Sequence, residues 1–114
     1  MANGEEHSLD EAYNRLPDLD QLINDIPKDS IVSRTFHSDD DLRAILFGFA
    51  PGQELSEHTS AKPAILHFLS GEAQLTLGED VSAAQAGTWV HMPAHLPHSI
   101  KAETTVLLLL LLLN

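Results

Sequence analysis

From residue 30 onward the chain is a run of short segments rich in β-branched, aromatic and leucine residues, each closed by turn-forming residues. The punctuation is an acidic turn at Ser38 to Asp41, then Pro51-Gly52, Lys62-Pro63, Ser70-Gly71, Gly78-Glu79-Asp80, Ala86-Gly87 and Pro93-Ala94. Between these marks the sequence predicts strands over 30–36, 42–50, 54–59, 64–69, 73–77, 81–84, 88–92, 98–102 and 105–113. Many short strands at regular spacing leave two architectures open, a β-sandwich or a β-barrel.

The segment before residue 30 follows other rules. Residues 1–16 hold little apolar content and read as a loosely docked arm. Asp18 is a good N-cap, Leu19, Leu22, Ile23 and Ile26 recur at helical spacing, and Pro27 ends the run, which predicts one short helix. The expected organisation is an arm and short helix over 1–29 and one β domain over 30–114, a length that suits a single core.

Val106 and the seven leucines after it are far too short to span a bilayer as a helix, which takes about 20 residues. They read as a last strand buried on both faces, a membrane-touching tail being the alternative. Left uncovered, such a strand is a sticky edge. A homodimer that buries it is therefore expected.

Charge and composition exclude several function classes. Six basic residues against 17 acidic ones give a net charge of −11, which repels phosphate backbones, so nucleic acid is not an expected partner. The absence of cysteine removes disulfides, thiolate nucleophiles and sulfur-ligated metals. The acidic start MANGEEHSLDEAY lacks the basic and apolar regions of a signal peptide, so a cytoplasmic location and no membrane partner are expected.

Two half-motifs stand out among the turns. In the first, Gly52 is followed after five residues by His58, then by Ser60, Ala64 and Gly71; in the second, Gly87 is followed by Pro93, His95, His98 and Ala102. This pattern resembles the two signature motifs of the cupin family. Those read Gly, five residues, His-x-His, three or four residues, Glu, six residues, Gly, and Gly, five residues, Pro-x-Gly, two residues, His, three residues, Asn. Gly52, His58, Gly71, Gly87, Pro93 and His98 match. Ser60 stands for the second His, Ala64 for the Glu, His95 for the Gly and Ala102 for the Asn.

The resemblance implies an all-β cupin jelly-roll barrel over roughly 30–113, with the short N-terminal helix packed outside. It also implies that the imidazoles of His58 and His98 point into the barrel toward one divalent ion: iron, nickel, manganese or zinc. A catalytic ion usually has three protein ligands and an open position, so two histidines fall short. A third ligand is sought among His67, His91 and His95. The family's Glu position, Ala64, faces inward, so alternation sends Leu66 and Phe68 in and His67 out; likewise Val90 and Met92 face in and His91 faces out. His67 and His91 are then expected as partners on the outer face, at a dimer contact, unless a bulge turns one inward. His95 belongs at the cavity rim, as a proton shuttle or a plain loop residue. His37 reads as a turn residue beside the acidic turn, and His7 as a solvated group of the arm.

The expected ligand pocket is small and apolar, lined by Leu66, Phe68, Val90 and Met92 with Ser60 near the histidines, and with Trp89 at an edge. It suits a small organic molecule with one polar group better than an anionic one, since only Lys62 and Lys101 are near the motifs. A Ser60–His58 nucleophile pair lacks an elbow and an oxyanion hole. Three readings stay open: a metal-binding cupin acting on a small apolar or carbonyl-containing metabolite; a metal-free module that binds or senses a small molecule without catalysis; and a structural role through dimerisation.

Overall fold

The structure is a computed structural model that describes residues 13–114. His7 and all of the expected arm before Tyr13 lie outside the described residues. Each of the nine predicted segments forms a strand: β1 (Ile31–Ser38), β2 (Leu42–Phe49), β3 (Glu54–His58), β4 (Ala64–Ser70), β5 (Glu72–Leu77), β6 (Asp80–Gln85), β7 (Trp89–Met92), β8 (His98–Ala102) and β9 (Val106–Leu113). They pair antiparallel into a five-stranded sheet, β1-β2-β9-β4-β7, and a four-stranded one, β3-β8-β5-β6. The two sheets face each other as a jelly roll without closing, so β1 and β7 stay edges of one sheet and β3 and β6 of the other.

Period-two alternation explains the core. Along β4, Ala64, Leu66 and Phe68 are buried while Ile65, His67 and Leu69 are only partly covered. Phe49, Leu75, Ile100, Val106 and Leu108 join them between the sheets, none more than 1 % exposed. Burying each such side chain contributes about 1.5–3 kcal/mol.

The leucine run lies inside its sheet, hydrogen-bonded to β2 on one side and β4 on the other. No free edge of β9 exists to be covered. Its inward residues Val106 and Leu108 are sealed, whereas the outward Leu107, Leu109 and Leu111 are only partly covered in the single chain.

The N-terminal helix needs correction. Only one 3-10 turn forms, Leu19–Leu22, with the Asp18 carboxylate accepting from the Asp20 N–H at 3.0 Å, and Ile23 is already extended (φ −127°, ψ 103°). An isolated helix of two turns is costly to nucleate, and the extended path has packing that a helix would forgo. The segment lies over the outer face of β1 and β2: Arg34 donates to the Leu22 carbonyl at 3.2 Å. At Gly48 a Cβ would sit 2.7 Å from Ile26 Cδ1, so the missing side chain is what lets Ile26 reach the sheet. Beside it the outward residues Ala44 and Leu46 are 3 % and 0 % exposed. Among the described residues no helix is long and apolar enough to cross a membrane.

A candidate imidazole-pair site

His58 ends β3 and His98 begins β8, and the two are direct partners across the antiparallel ladder. His98 shares the inward face of β8 with Ile100 and Ala102 and is the one polar side chain in the described core, 6 % exposed. His58 reaches the same side by a register shift. Leu55 faces inward opposite Ile100, and His58, three residues on, would face outward on a regular strand. A bulge between Leu55 and His58 absorbs one residue and turns His58 back toward His98.

The two rings lie 4.2 Å apart between centroids and are tilted by 57°. Each is oriented by its own backbone: Nδ1 of His58 donates to the Ser56 carbonyl and Nδ1 of His98 to the Leu96 carbonyl, both at 2.9 Å. A carbonyl only accepts, so Nδ1 carries the proton and the lone pair is left on Nε2. Neither Nε2 has a hydrogen-bond partner among the described residues. Burial pushes the His98 pKa below the ordinary 6.5; its bond to the Leu96 carbonyl opposes this in part, and the nearby His58 adds to the lowering. Burial and the neighbouring ring thus favour the neutral form of His98, whose Nε2 can donate its lone pair.

The other expected site residues lie in the turn after β3 and along the core. The Ser60 hydroxyl accepts from the Lys62 N–H at 3.2 Å, closing the turn after β3. Ala64, in the position of the family's Glu, is buried at 1 % exposure and offers no donor. Leu66, Phe68 and Met92 belong to the closed core at 2 %, 0 % and 2 % exposure, with Val90 packed against it. Trp89 lies on the opposite face from Val90 and is 58 % exposed, so it is no part of the inner wall; the alternation that placed Val90 and Met92 inside already implied this.

His67 and His91 both lie on the outer face of the larger sheet. They are diagonal neighbours there: His67 is opposite Trp89 and His91 is opposite Ile65. His95 occupies the rim loop with φ +70°, a left-handed backbone that L side chains rarely adopt, and its N–H donates to the Ser60 carbonyl at 2.7 Å. The family's glycine suits that backbone, so His95→Gly is expected to raise stability by about 1 kcal/mol, read as a higher urea midpoint with the slope unchanged. An unchanged or lower midpoint would mean that contacts of the imidazole outweigh the strain. His37 bridges the first hairpin, its Nε2 2.7 Å from an Asp39 oxygen and its Nδ1 2.8 Å from the Asn14 amide. Two backbone N–H groups, from Asp41 and Leu42, also bind Asp39, and together with His37 they lower its pKa to about 2.

Among the described residues no group of three or more His, Cys, Asp or Glu is arranged to hold a metal ion. The pair thus fits two positions of a coordination shell and does not supply the three protein ligands of a catalytic ion. What the sequence could not reveal is the pair's anchoring, because the Ser56 and Leu96 carbonyls leave no trace in residue type.

Comparison with known proteins matches this geometry to one family. A profile of the cupin domain matches residues 45–113, more than half of the chain and both half-motifs. A conserved protein of unknown function from Streptococcus pyogenes is 30 % identical, with a TM-score of 0.78 over 98 % of this chain and 92 % of that one. A cupin superfamily protein from Desulfitobacterium hafniense is 26 % identical, also with a TM-score of 0.78, over 88 % and 90 % of the two chains. A salicylate 1,2-dioxygenase from Pseudaminobacter salicylatoxidans shares the fold at 15 % identity and a TM-score of 0.69, over 72 % of this chain and 26 % of its own. Among curated proteins none matches. With the two-sheet jelly roll, the matched half-motifs and a 30 % identical relative over nearly its whole length, the chain belongs to the cupin family.

Proposed function

We propose that this protein binds a divalent metal ion through Nε2 of His58 and Nε2 of His98, with the rest of the shell left to water and a small ligand. The observation that carries the reading is the shared anchoring: both rings hold Nδ1 against a backbone carbonyl, and so both keep an Nε2 lone pair free at a centroid separation of 4.2 Å. A bound ion would supply a Lewis acid toward a carbonyl or water oxygen. Purely nitrogen donors favour zinc, nickel and iron over manganese. The chain's part is orientation. Burial favours the neutral ring of His98, and the bulge fixes His58 beside it. Leu66, Phe68 and Met92 are closed into the core, so the ligand of this reading is held by the histidines rather than by a deep apolar cavity.

A second reading is favoured by Ala64 and Ser60, which bring no ligand where the family motif has Glu and His. In it the two Nε2 atoms accept hydrogen bonds from a small organic molecule directly, without an ion or turnover.

Titrating zinc into protein labelled at the histidine ring nitrogens separates the two. At neutral pH the Nε2 resonances of His58 and His98 are expected to move while their Nδ1 protons stay, with His67, His91 and His95 unaffected. Silence at both Nε2 atoms would overturn the metal reading and leave the second; movement at the outer histidines instead would overturn both.

A further inference from the structure

We infer that Arg43 is the carboxylate anchor of the imidazole-pair site, and that the ligand taken there is a short oxo or hydroxy acid. On the reading of His58 and His98 as the seat of an ion, on which this rests, the ion takes the ligand's second oxygen and Arg43 takes its carboxylate. Register places Arg43 on the inward side of β2. It is opposite Leu112 of β9, as Ile45 is opposite Leu110 and Phe47 opposite Leu108, and all three leucines pack into or against the core. Its Nη2 donates to the Thr35 hydroxyl at 3.4 Å, and Thr35 shares that side of the sheet, opposite Ile45. Two paths lead from Arg43 to the pair's end of the molecule. β2 and β3 lie in different sheets and are joined at Pro51-Gly52; Arg43 near the start of β2 and His58 at the end of β3 are both far from that turn. Across the larger sheet Arg43, Leu112 and Ala64 are successive partners, and Ala64 follows His58 by one short turn.

The two sheets stay open on the side between β1 and β3. Ser33 and Thr35 face inward by register yet are exposed, and Phe47 and Leu55 are only partly covered. Arg43 thus stands beside hydroxyls and apolar surface on a side that a small molecule can enter. Its charge is also uncompensated. In a chain with 17 acids and 6 bases an arginine has many carboxylates at hand, yet among the described residues the one close charge pair joins His37 to Asp39. Asp39 is held besides by two backbone N–H groups, Asp40 and Asp41 are exposed in the hairpin turn, and Glu57 beside His58 pairs with no base. A guanidinium so placed matches a carboxylate that arrives with a ligand, because its planar fork takes both oxygens at once. Facing sheets stand about 10 Å apart, so a few carbon atoms must separate the carboxylate from the oxygen at the ion. The bases nearest the half-motifs are placed otherwise: Lys62 donates to the Asn114 amide oxygen, and Lys101 lies on the outer face opposite Glu54. The expectation of an uncharged ligand counted only those two; Arg43 precedes both half-motifs, and the register of β2 on β9 brings it to this end.

The test is a titration of the zinc-loaded protein with levulinate and with methyl levulinate, followed at the Arg43 Nε–H resonance and at the Nε2 resonances of His58 and His98. The acid is expected to bind and to move the Arg43 resonance, and the ester, which keeps the ketone and loses the charge, to bind about tenfold more weakly or worse. Arg43→Gln, at an exposed position, is expected to keep the thermal midpoint of the parent and the zinc response of both Nε2 atoms. The same variant should bind the acid about tenfold more weakly, or worse, and the ester as the parent does. Lys62→Gln is expected to leave the affinity for both unchanged. Equal binding of acid and ester, an Arg43→Gln variant that binds the acid as the parent does, or loss of the acid in Lys62→Gln would overturn the inference. If zinc leaves both Nε2 atoms silent, the ion falls without the anchor. The comparison of acid and ester, made in zinc-free protein with γ-hydroxybutyrate, whose hydroxyl can donate to a bare Nε2, then decides the role of Arg43 by the same outcomes.

Discussion

Gly71→Ala is expected to cost about 2–5 kcal/mol of folding stability, out of the roughly 5–15 kcal/mol a domain of this kind possesses. Two effects add. Gly71 has φ +90°, where an L side chain costs about 1–2 kcal/mol. Its added Cβ would also run into the Thr105 carbonyl oxygen and lie 2.8 Å from Val106 Cα, so backbone must shift, which costs about 1–3 kcal/mol more. The site is exacting because Gly71 turns the chain from β4 into β5, and so from one sheet to the other, while the start of β9 passes directly beneath. Gly87→Ala is the matching control: φ is +94° but nothing lies within 4 Å, so only the strain of about 1–2 kcal/mol is expected. Urea unfolding of both variants checks this. Equal losses at the two positions would mean that Thr105 and Val106 yield without cost.

The same two glycines show what the sequence carried. Both match the half-motifs, and their left-handed backbones are the reason a motif can be read at all. The strands were legible because one face of each is buried, and a period of two follows from that alone. Three features were not. The Asp18 cap and the spacing of Leu19 to Ile26 describe a helix well, but Gly48 on a distant strand offers Ile26 a better seat. The leucine run names its strand without naming its neighbours, and its place between β2 and β4 is a long-range pairing. The bulge between Leu55 and His58 leaves no residue signature, yet it turns His58 inward. The outward His67 and His91 followed from alternation, although their diagonal placement depends on register.

His98→Ala is expected to carry the largest functional effect. Two nitrogens held on one rigid sheet act at high effective concentration, so losing one lowers affinity for the ion by about a hundredfold or more. His98 is the more demanding of the two positions, since its burial favours the neutral ring and its bond to the Leu96 carbonyl fixes the tautomer. His58→Ala removes the exposed partner at little structural cost and is expected to match it in metal loss. The decisive measurement is elemental analysis of the purified protein beside these two variants, each dialysed against divalent iron, nickel, manganese and zinc. Near-stoichiometric metal in the parent and little in either variant is the expected result. Equal metal in all three proteins, or none in the parent with any of the four ions, would contradict the imidazole-pair site.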